Sequence, residues 1–302
     1  MFNFFRKIFG RADEPAKKAL DNAVTAPLSD VQLQSIRSVS ANHFEPPQLL
    51  ATSAQSIGRQ RELNEDSLFT LATTIAGHTG TAPFGLFIIA DGMGGHQYGE
   101  IASNTSIRVI SGYIMKKFHA TLFQQPSVPV EESLQEIMQE AIAEAQRVVL
   151  AEAPGSGTTV TAALVVGQQL TMGHVGDSRA YLIYNDQRIE TITRDHSLVR
   201  RLEELGQITS AEAAVHPQRN VLYRALGQGE TLDADLLTVP FPVGSYLLLC
   251  SDGLWGVVSD DEMKKIIFES PTIQRGCQNL IAAANAAGGP DNISAVLVQL
   301  LG

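Results

Sequence analysis

The sequence predicts an α+β layered domain, on three observations. Short apolar or alternating runs recur from Leu49 onward with Gly, Asp and Asn between them, the pattern of many strands. Two long segments, and two shorter ones near the C-terminus, carry apolar residues at helical spacing. Strands thus come in runs and helices in pairs, which argues against the strict alternation of a parallel sheet.

In chain order, strands are expected at LLATSAQSI (49–57), DSLFTLATTI (66–75) and FGLFIIA (84–90). Amphipathic helices follow over Glu100 to Phe123 and Glu131 to Ala153, the second with Leu134, Ile137, Met138 and Ile142 on one face. Further strands are TVTAALVV (159–166), LTMGHV (170–175) and RAYLIY (179–184). A capped helix runs from Ser197 to Leu205 and stops at Gly206, with another cap at Thr209 or Ser210 before Glu212. YLLLC (246–250) is a strand, Asp260 to Phe268 and Thr272 to Ala287 are helices, and ISAVLVQL (293–300) is the last strand. Residues 1–47 show no sustained period and read as a mobile extension, so the globular domain is expected over 48–302.

Acidic residues outnumber basic ones, 32 to 22, for a formal charge of -10, which excludes a broad nucleic-acid footprint. Such a chain meets a phosphorylated partner through a local cation or a metal. Two cysteines, Cys250 and Cys277, are too few for a disulfide framework, and a buried free thiol is expected at Cys250. No stretch reaches the roughly 20 apolar residues of a spanning helix, and the start lacks a signal peptide's apolar core. A cytoplasmic, reducing compartment follows.

FGLFIIADGMGGHQYGE ends an apolar strand on Asp91 and then places glycines ahead of a helix. A dinucleotide site would need glycine where Gln97 stands and an acidic residue about twenty positions on, yet Ile101 to Val130 holds neither Asp nor Glu. GSGTT lacks the lysine of a phosphate loop and leads into a strand, so it reads as a plain turn. The carboxylate is not alone. YLLLCSDG places Asp252 at the end of another run, and GGPDNISAVLVQL places Asp291 at the start of one. Antiparallel pairing sets such ends side by side, so the three are expected at one edge of one sheet. NEDSLF puts Glu65 and Asp66 at a strand start, and GHVGDSRAYL puts Asp177 at a tight hairpin. Singly, each is ordinary turn chemistry. Crowded together, they would repel one another unless a cation lay among them, and hard oxygen ligands suit Mg²⁺ or Mn²⁺ rather than zinc. Gly92 and Gly253 would let the backbone turn a carbonyl inward or pass close to the metal site.

RELNEDSLF, ADGMGGH, SGTTVTAALV, GHVGDSRAYL, ITRDHSLV, HPQRNVLYRALG, LLLCSDGLWGVVSD and GGPDNISAVLV resemble, in that order, the motifs of the metal-dependent (type 2C) serine/threonine protein phosphatases. The resemblance covers about Leu49 to Leu301 and is closest to the compact bacterial branch. It implies a four-layer α-β-β-α sandwich, two antiparallel sheets flanked by helix pairs, with two Mn²⁺ or Mg²⁺ ions at one edge. By the same resemblance Asp91 bridges the metals and the Gly92 carbonyl binds one of them. Asp252 and Asp291 bind the other, and Glu65 and Asp66 hold metal-bound waters or complete the shell. Asp177 makes a weaker third site with Asp252, and Arg61 clamps the phosphate, as a planar guanidinium can do bidentately.

The implied reaction is hydrolysis of phosphoserine and phosphothreonine in proteins by in-line attack of a metal-bridging water or hydroxide, with no protein nucleophile. Phosphorylated proteins are the implied partners, a serine/threonine kinase and its substrates among them. A phosphatase-like module that has lost catalysis is the alternative, disfavoured because every core carboxylate is retained. Cysteine-phosphatase chemistry is absent, since Gly256 and Ala283 stand where an arginine would be required. A nucleophile elbow at Ser178 fails because a strand, not a helix, follows. Two positions depart from the family. Met93 replaces the histidine that acts as general acid in many relatives, leaving His96, His196 or a metal-bound water for that role, and Gly256 replaces an acid. Arg194 to Leu226 resembles the family's flap, either a lid or a segment packed on the sheet. MFNFFRKIFGR, with four phenylalanines and Arg6, Lys7 and Arg11, would rest weakly on an anionic membrane at its inner face, dock a partner, cap the domain, or fray.

Overall fold

The computed structural model describes residues 47–77, 80–94, 98–123, 130–229 and 232–302, so the aromatic and basic start expected to act at residues 1–11 lies outside the described residues. The chain forms, in order, β1 (Gln48–Ser56), β2 (Asp66–Gly77), β3 (Gly80–Met93), α1 (Gly99–Phe123), α2 (Leu134–Glu152), β4 (Gly157–Thr158), β5 (Val160–Val166), β6 (Gln169–Val175) and β7 (Arg179–Ile183). It continues with β8 (Ile189–Thr191), α3 (Leu198–Glu204), α4 (Ser210–Ala214), β9 (Asp235–Pro240), β10 (Tyr246–Cys250), α5 (Asp252–Trp255), α6 (Asp260–Glu269), α7 (Ile273–Ala286) and β11 (Ile293–Leu301).

One antiparallel sheet has the order β1-β11-β10-β7-β8; the other has β2-β3-β5-β6-β9, with β4 annealed to the end of β3. Alternation along each strand builds the layers. On β3, Phe84, Leu86, Ile88 and Ala90 pack against Ile107, Ile110 and Ile114 of α1 and Ile137, Met138 and Ile142 of α2. The intervening Phe87 and Ile89 point the other way, into an inter-sheet core with Leu247, Leu249, Val296 and Val298. The opposite faces of β10 and β11, Leu248, Cys250, Ala295 and Leu297, meet Met263 and Ile267 of α6 and Cys277, Leu280 and Ile281 of α7. Each such fully buried aliphatic side chain contributes about 1.5–3 kcal/mol. The result is the expected four-layer sandwich. Helix starts are fixed locally: Ser133 forms a capping box with Glu136, and Thr209, not Ser210, caps α4. Both cysteines are buried free thiols.

Three expectations are corrected. Asp177 does not sit on a hairpin, because β6 belongs to one sheet and β7 to the other, so Gly176 to Ser178 crosses between sheets. Ala180 and Leu182 of β7 fill the inter-sheet core, and β7 pairs with β10. Asp91, Asp252 and Asp291 likewise do not share one sheet. Asp91 lies near the C-terminal end of β3, while Asp252 and Asp291 flank β10 and β11 of the facing sheet. In addition, GSGTT is not a plain turn, since Gly157 and Thr158 pair with Met93 and Gly92.

Candidate metal centre

The acidic positions gather where the same ends of the two sheets meet. Asp66 and Asp91 are direct partners in the β2-β3 ladder, and Asp91 lies within hydrogen-bonding reach of both Asp66 and Asp252. Asp252 opens α5 immediately after β10, Asp291 precedes β11, and Asp177 lies on the crossing to β7. The sheets are tied here by hydroxyls: Ser251 and Ser294 donate to Asp66 Oδ2 at 2.8 and 2.6 Å. Asp91 is held by its backbone, its N–H donating to Thr159 Oγ1 at 2.9 Å and its carbonyl accepting from Thr158 Oγ1 and the Thr159 N–H.

Asn292 fastens the loop that carries Arg61 and Glu65. Its Oδ1 accepts from the Glu65 N–H at 2.8 Å, and its Nδ2 donates to the carbonyls of Ile57 and Leu63 at 2.9 and 2.8 Å. Ser103 of α1 donates to the Glu65 carbonyl at 2.6 Å. Arg61 Nη2 donates to Asp291 Oδ2 at 2.7 Å, with 46% of the arginine side chain still exposed. Gly92 and Gly253 are required by close backbone approach: a Cβ would lie 2.2 Å from the Gly99 carbonyl oxygen in one case and 2.0 Å from that of Asn292 in the other.

Burial and mutual repulsion shift these acids toward their neutral forms. Burial, then the charges of Asp66, Asp252, Asp177 and Asp291, drive Asp91 well above the ordinary carboxylate range. Burial drives Asp177 the same way, with Asp252 and Asp195 adding to it. Asp252 is pushed up to about 7 by burial and then Asp291 and Asp66. Asp66 reaches about 6, raised by burial and opposed by the Ser294 and Ser251 hydroxyls. Glu65 is raised by burial and by Glu100.

Among the described residues, no three acidic, imidazole or thiol side chains close on a single point at metal-ligand spacing. The fit to a cation rests instead on two buried carboxylate oxygens, Asp66 Oδ1 and Asp252 Oδ1, that have no hydrogen-bond partner. Unpartnered buried oxygens on either side of a third acid are costly without a positive charge, and an all-oxygen set fits Mg²⁺ or Mn²⁺. Sequence reasoning placed Asn292 beside Asp291 but gave it no role, and did not single out Ser251, Ser294, Ser103 or Thr159. A serine directly before Asp252 and the Asn-Ile-Ser run after Asp291 were the only available signals.

Met93 ends β3 with its sulfur 3.9 Å from Gln228 Nε2. His96 lies outside the described residues. His196 is buried with both ring nitrogens engaged, Nδ1 by the Gly176 N–H and Nε2 by Asp235. The segment after it is tied at its neck, where Leu198 N–H donates to Val221 O and Tyr223 N–H to His196 O, and Thr158 and Leu226 exchange backbone hydrogen bonds. Val199 is the buried residue of α3.

Residues 50–240 match the family described as Protein phosphatase 2C. The serine/threonine phosphatase stp of Listeria innocua is 36% identical over 214 residues, 71% of this chain and 84% of the relative. Protein phosphatase PhpP of Streptococcus pneumoniae is 34% identical over 247 residues, 81% and 94% of the two chains. The serine/threonine phosphatase Stp1 from Staphylococcus aureus superposes with a TM-score of 0.69 at 32% identity, over 84% of this chain and 96% of that one. The catalytic domain of the phosphatase PstP in complex with two manganese ions superposes with a TM-score of 0.66 at 30% identity, over 85% and 100%.

Proposed function

As the chain belongs to the protein phosphatase 2C family and is a metal-dependent protein serine/threonine phosphatase, we propose that Glu65, Asp66, Asp91, the Gly92 carbonyl, Asp177, Asp252 and Asp291 hold its metal ions. Bound Mn²⁺ or Mg²⁺ supplies the Lewis acidity that makes water nucleophilic at neutral pH and neutralises phosphoryl charge. The chain's own groups then have distinct tasks. Asp91, between Asp66 and Asp252, spans the centre. Ser251 and Ser294 fix Asp66, and Asn292 sets the loop from which Arg61 faces solvent. One guanidinium N–H holds Asp291, and the others remain for the equatorial phosphate oxygens. No thiol takes part: burial pushes both cysteines up, away from the reactive thiolate. His196, bonded at both nitrogens, is not the leaving-group acid.

The pair of unpartnered oxygens on Asp66 and Asp252 carries the site assignment. The test is turnover of a phosphothreonine peptide with Mn²⁺ and with chelator, beside Asp91→Asn. Full activity in the variant would refute the bridging role, and no turnover in folded, Mn²⁺-loaded protein would refute the catalytic reading.

The substrates are phosphorylated proteins, and a serine/threonine kinase and its substrates are the proposed partners in the cell. No helix among the described residues is long and apolar enough to cross a membrane. The proposed location is the cytoplasm, with residues 1–11 in weak contact with the anionic inner face of the membrane. The alternation of Phe2, Phe4, Phe5 and Phe9 with Arg6, Lys7 and Arg11 supports that contact. Residues 48–302 are proposed as one catalytic unit, since Asp66 of one sheet is bonded by serines of the other.

A further inference from the structure

Asp177 lies on a crossing between two sheets, where no strand ladder fixes it. What holds it is specific. The His196 N–H donates to the Gly176 carbonyl at 2.8 Å, and the Gly176 N–H donates back to His196 Nδ1 at 3.0 Å. Gly176 has φ of +106, and a Cβ there would stand 2.6 Å from Thr159 Cβ, so the peptide before Asp177 has one available path. On the far side, Trp255 Nε1 donates to the Asp177 carbonyl at 3.0 Å, and the Arg179 guanidinium lies 3.6 Å over the Trp255 ring. Arg179 is in turn gripped two-pronged by Asp195, the neighbour of His196.

We propose that His196 is a positioning residue for Asp177, acting through the Gly176 peptide. The inference rests on reading Asp177 as a metal ligand. Accepting the Gly176 N–H at Nδ1 requires a neutral ring with its proton on Nε2; that nitrogen faces Asp235 Oδ2 at 3.1 Å, and Arg224 Nη1, which holds the same carboxylate at 2.8 Å, also lies 3.2 Å from Nε2, where its charge opposes a second proton on the ring. Burial of the ring, 1% exposed, favours that neutral form. A group that orients a ligand from behind tunes metal affinity without touching metal or substrate.

The test uses the full chain and Mn²⁺ alone, followed by titration calorimetry and by emission of Trp255, the one tryptophan of the sequence. Asp177→Asn should lose the weakest Mn²⁺ step. His196→Gln places its amide at the Nε2 position, toward Asp235 and away from Gly176. It should weaken that same step about tenfold or more while leaving the tighter steps unchanged. His196→Asn puts an acceptor where Nδ1 was and should restore the step. The emission change on filling the weak step should appear in wild type and His196→Asn and be lost in His196→Gln. If Asp177→Asn binds Mn²⁺ as wild type does, the ligand reading itself falls. Should Asp177→Asn lose the step and His196→Gln keep it, the positioning role alone is overturned. Loss of every step in His196→Gln would make the histidine a support of the whole fold and overturn the proposal as well.

Discussion

Replacing Asp252 by Asn should abolish activity and yet stabilise the metal-free protein at alkaline pH. The Asp252 carboxyl, ordinarily near 3.8, is pushed up to about 7 by burial, Asp291 and Asp66. At about 1.4 kcal/mol per tenfold in proton affinity, keeping it ionised in the folded state costs on the order of 4 kcal/mol. In the unfolded chain the group ionises freely. The stability it contributes as a neutral acid is therefore full below about pH 4 and is lost as pH rises through about 7. Asparagine keeps the shape without the charge. Recovery of about half the cost would raise the melting temperature by about 4–8 °C in a domain of this size.

The assay is thermal unfolding of wild type and Asp252→Asn in chelator between pH 5 and 8.5, repeated with Mn²⁺. The variant should melt higher at pH 8, and the gap should close toward pH 5 as the wild-type acid takes up its proton. Added Mn²⁺ should reverse the order, because only an intact ligand set draws full binding stabilisation. A variant that melts below wild type in chelator at pH 8, or a gap that ignores pH, would refute the electrostatic account.

Ser294→Ala removes one of the two hydroxyls on Asp66 Oδ2. Mn²⁺ affinity should fall about 10–100-fold by calorimetry, and an unchanged isotherm would show that the hydroxyl does not orient the acid. Gly253→Ala places a Cβ 2.0 Å from the Asn292 carbonyl oxygen and should cost about 2 kcal/mol or more in denaturant unfolding. Gly112→Ala, on the exposed side of α1 with nothing within 4 Å, should instead gain about 0.5–1 kcal/mol. Arg61→Ala should lower kcat/KM on a phosphopeptide by an equivalent of about 2–4 kcal/mol, and a loss under twofold would place the guanidinium off the phosphate. In cosedimentation, full-length protein should bind anionic vesicles more than a chain beginning at Pro47 does, with no difference on neutral vesicles; equal partitioning would rule out the membrane contact.

The strands and helix pairs were legible because both leave local periods in the sequence, and because caps such as Ser133 and Thr209 act within four residues. The acids stood out for the same reason, each breaking an apolar run. Their sheet membership did not. Pairing is non-local, and nothing near Asp177 distinguishes a hairpin from a crossing; the decision lies with Ala180 and Leu182, whose place between the sheets depends on β10. β8, β9 and α5 were missed because three to six residues carry too little period. Ser251 and Ser294 left only a weak local signal. A serine beside an aspartate is common in turns, and only contact across two sheets reveals that both hydroxyls meet one carboxylate.

Placing the acids at the junction of two sheets also accounts for the choice of metal. The burial that raises their pKa values weakens solvent screening, so a hard dication among them gains more than it would at a surface. The two buried imidazoles nearby are kept out of the cluster. His174 bonds Thr161 at Nδ1 and the Arg194 carbonyl at Nε2, and burial pushes it down to about 4. His196 is spent on Gly176 and Asp235. Among the described residues, with neither ring offering a free nitrogen and both thiols buried in the core beneath α6 and α7, an entering ion meets oxygen alone. Such a set suits Mn²⁺ or Mg²⁺ and offers zinc none of the nitrogen or sulfur ligands it favours.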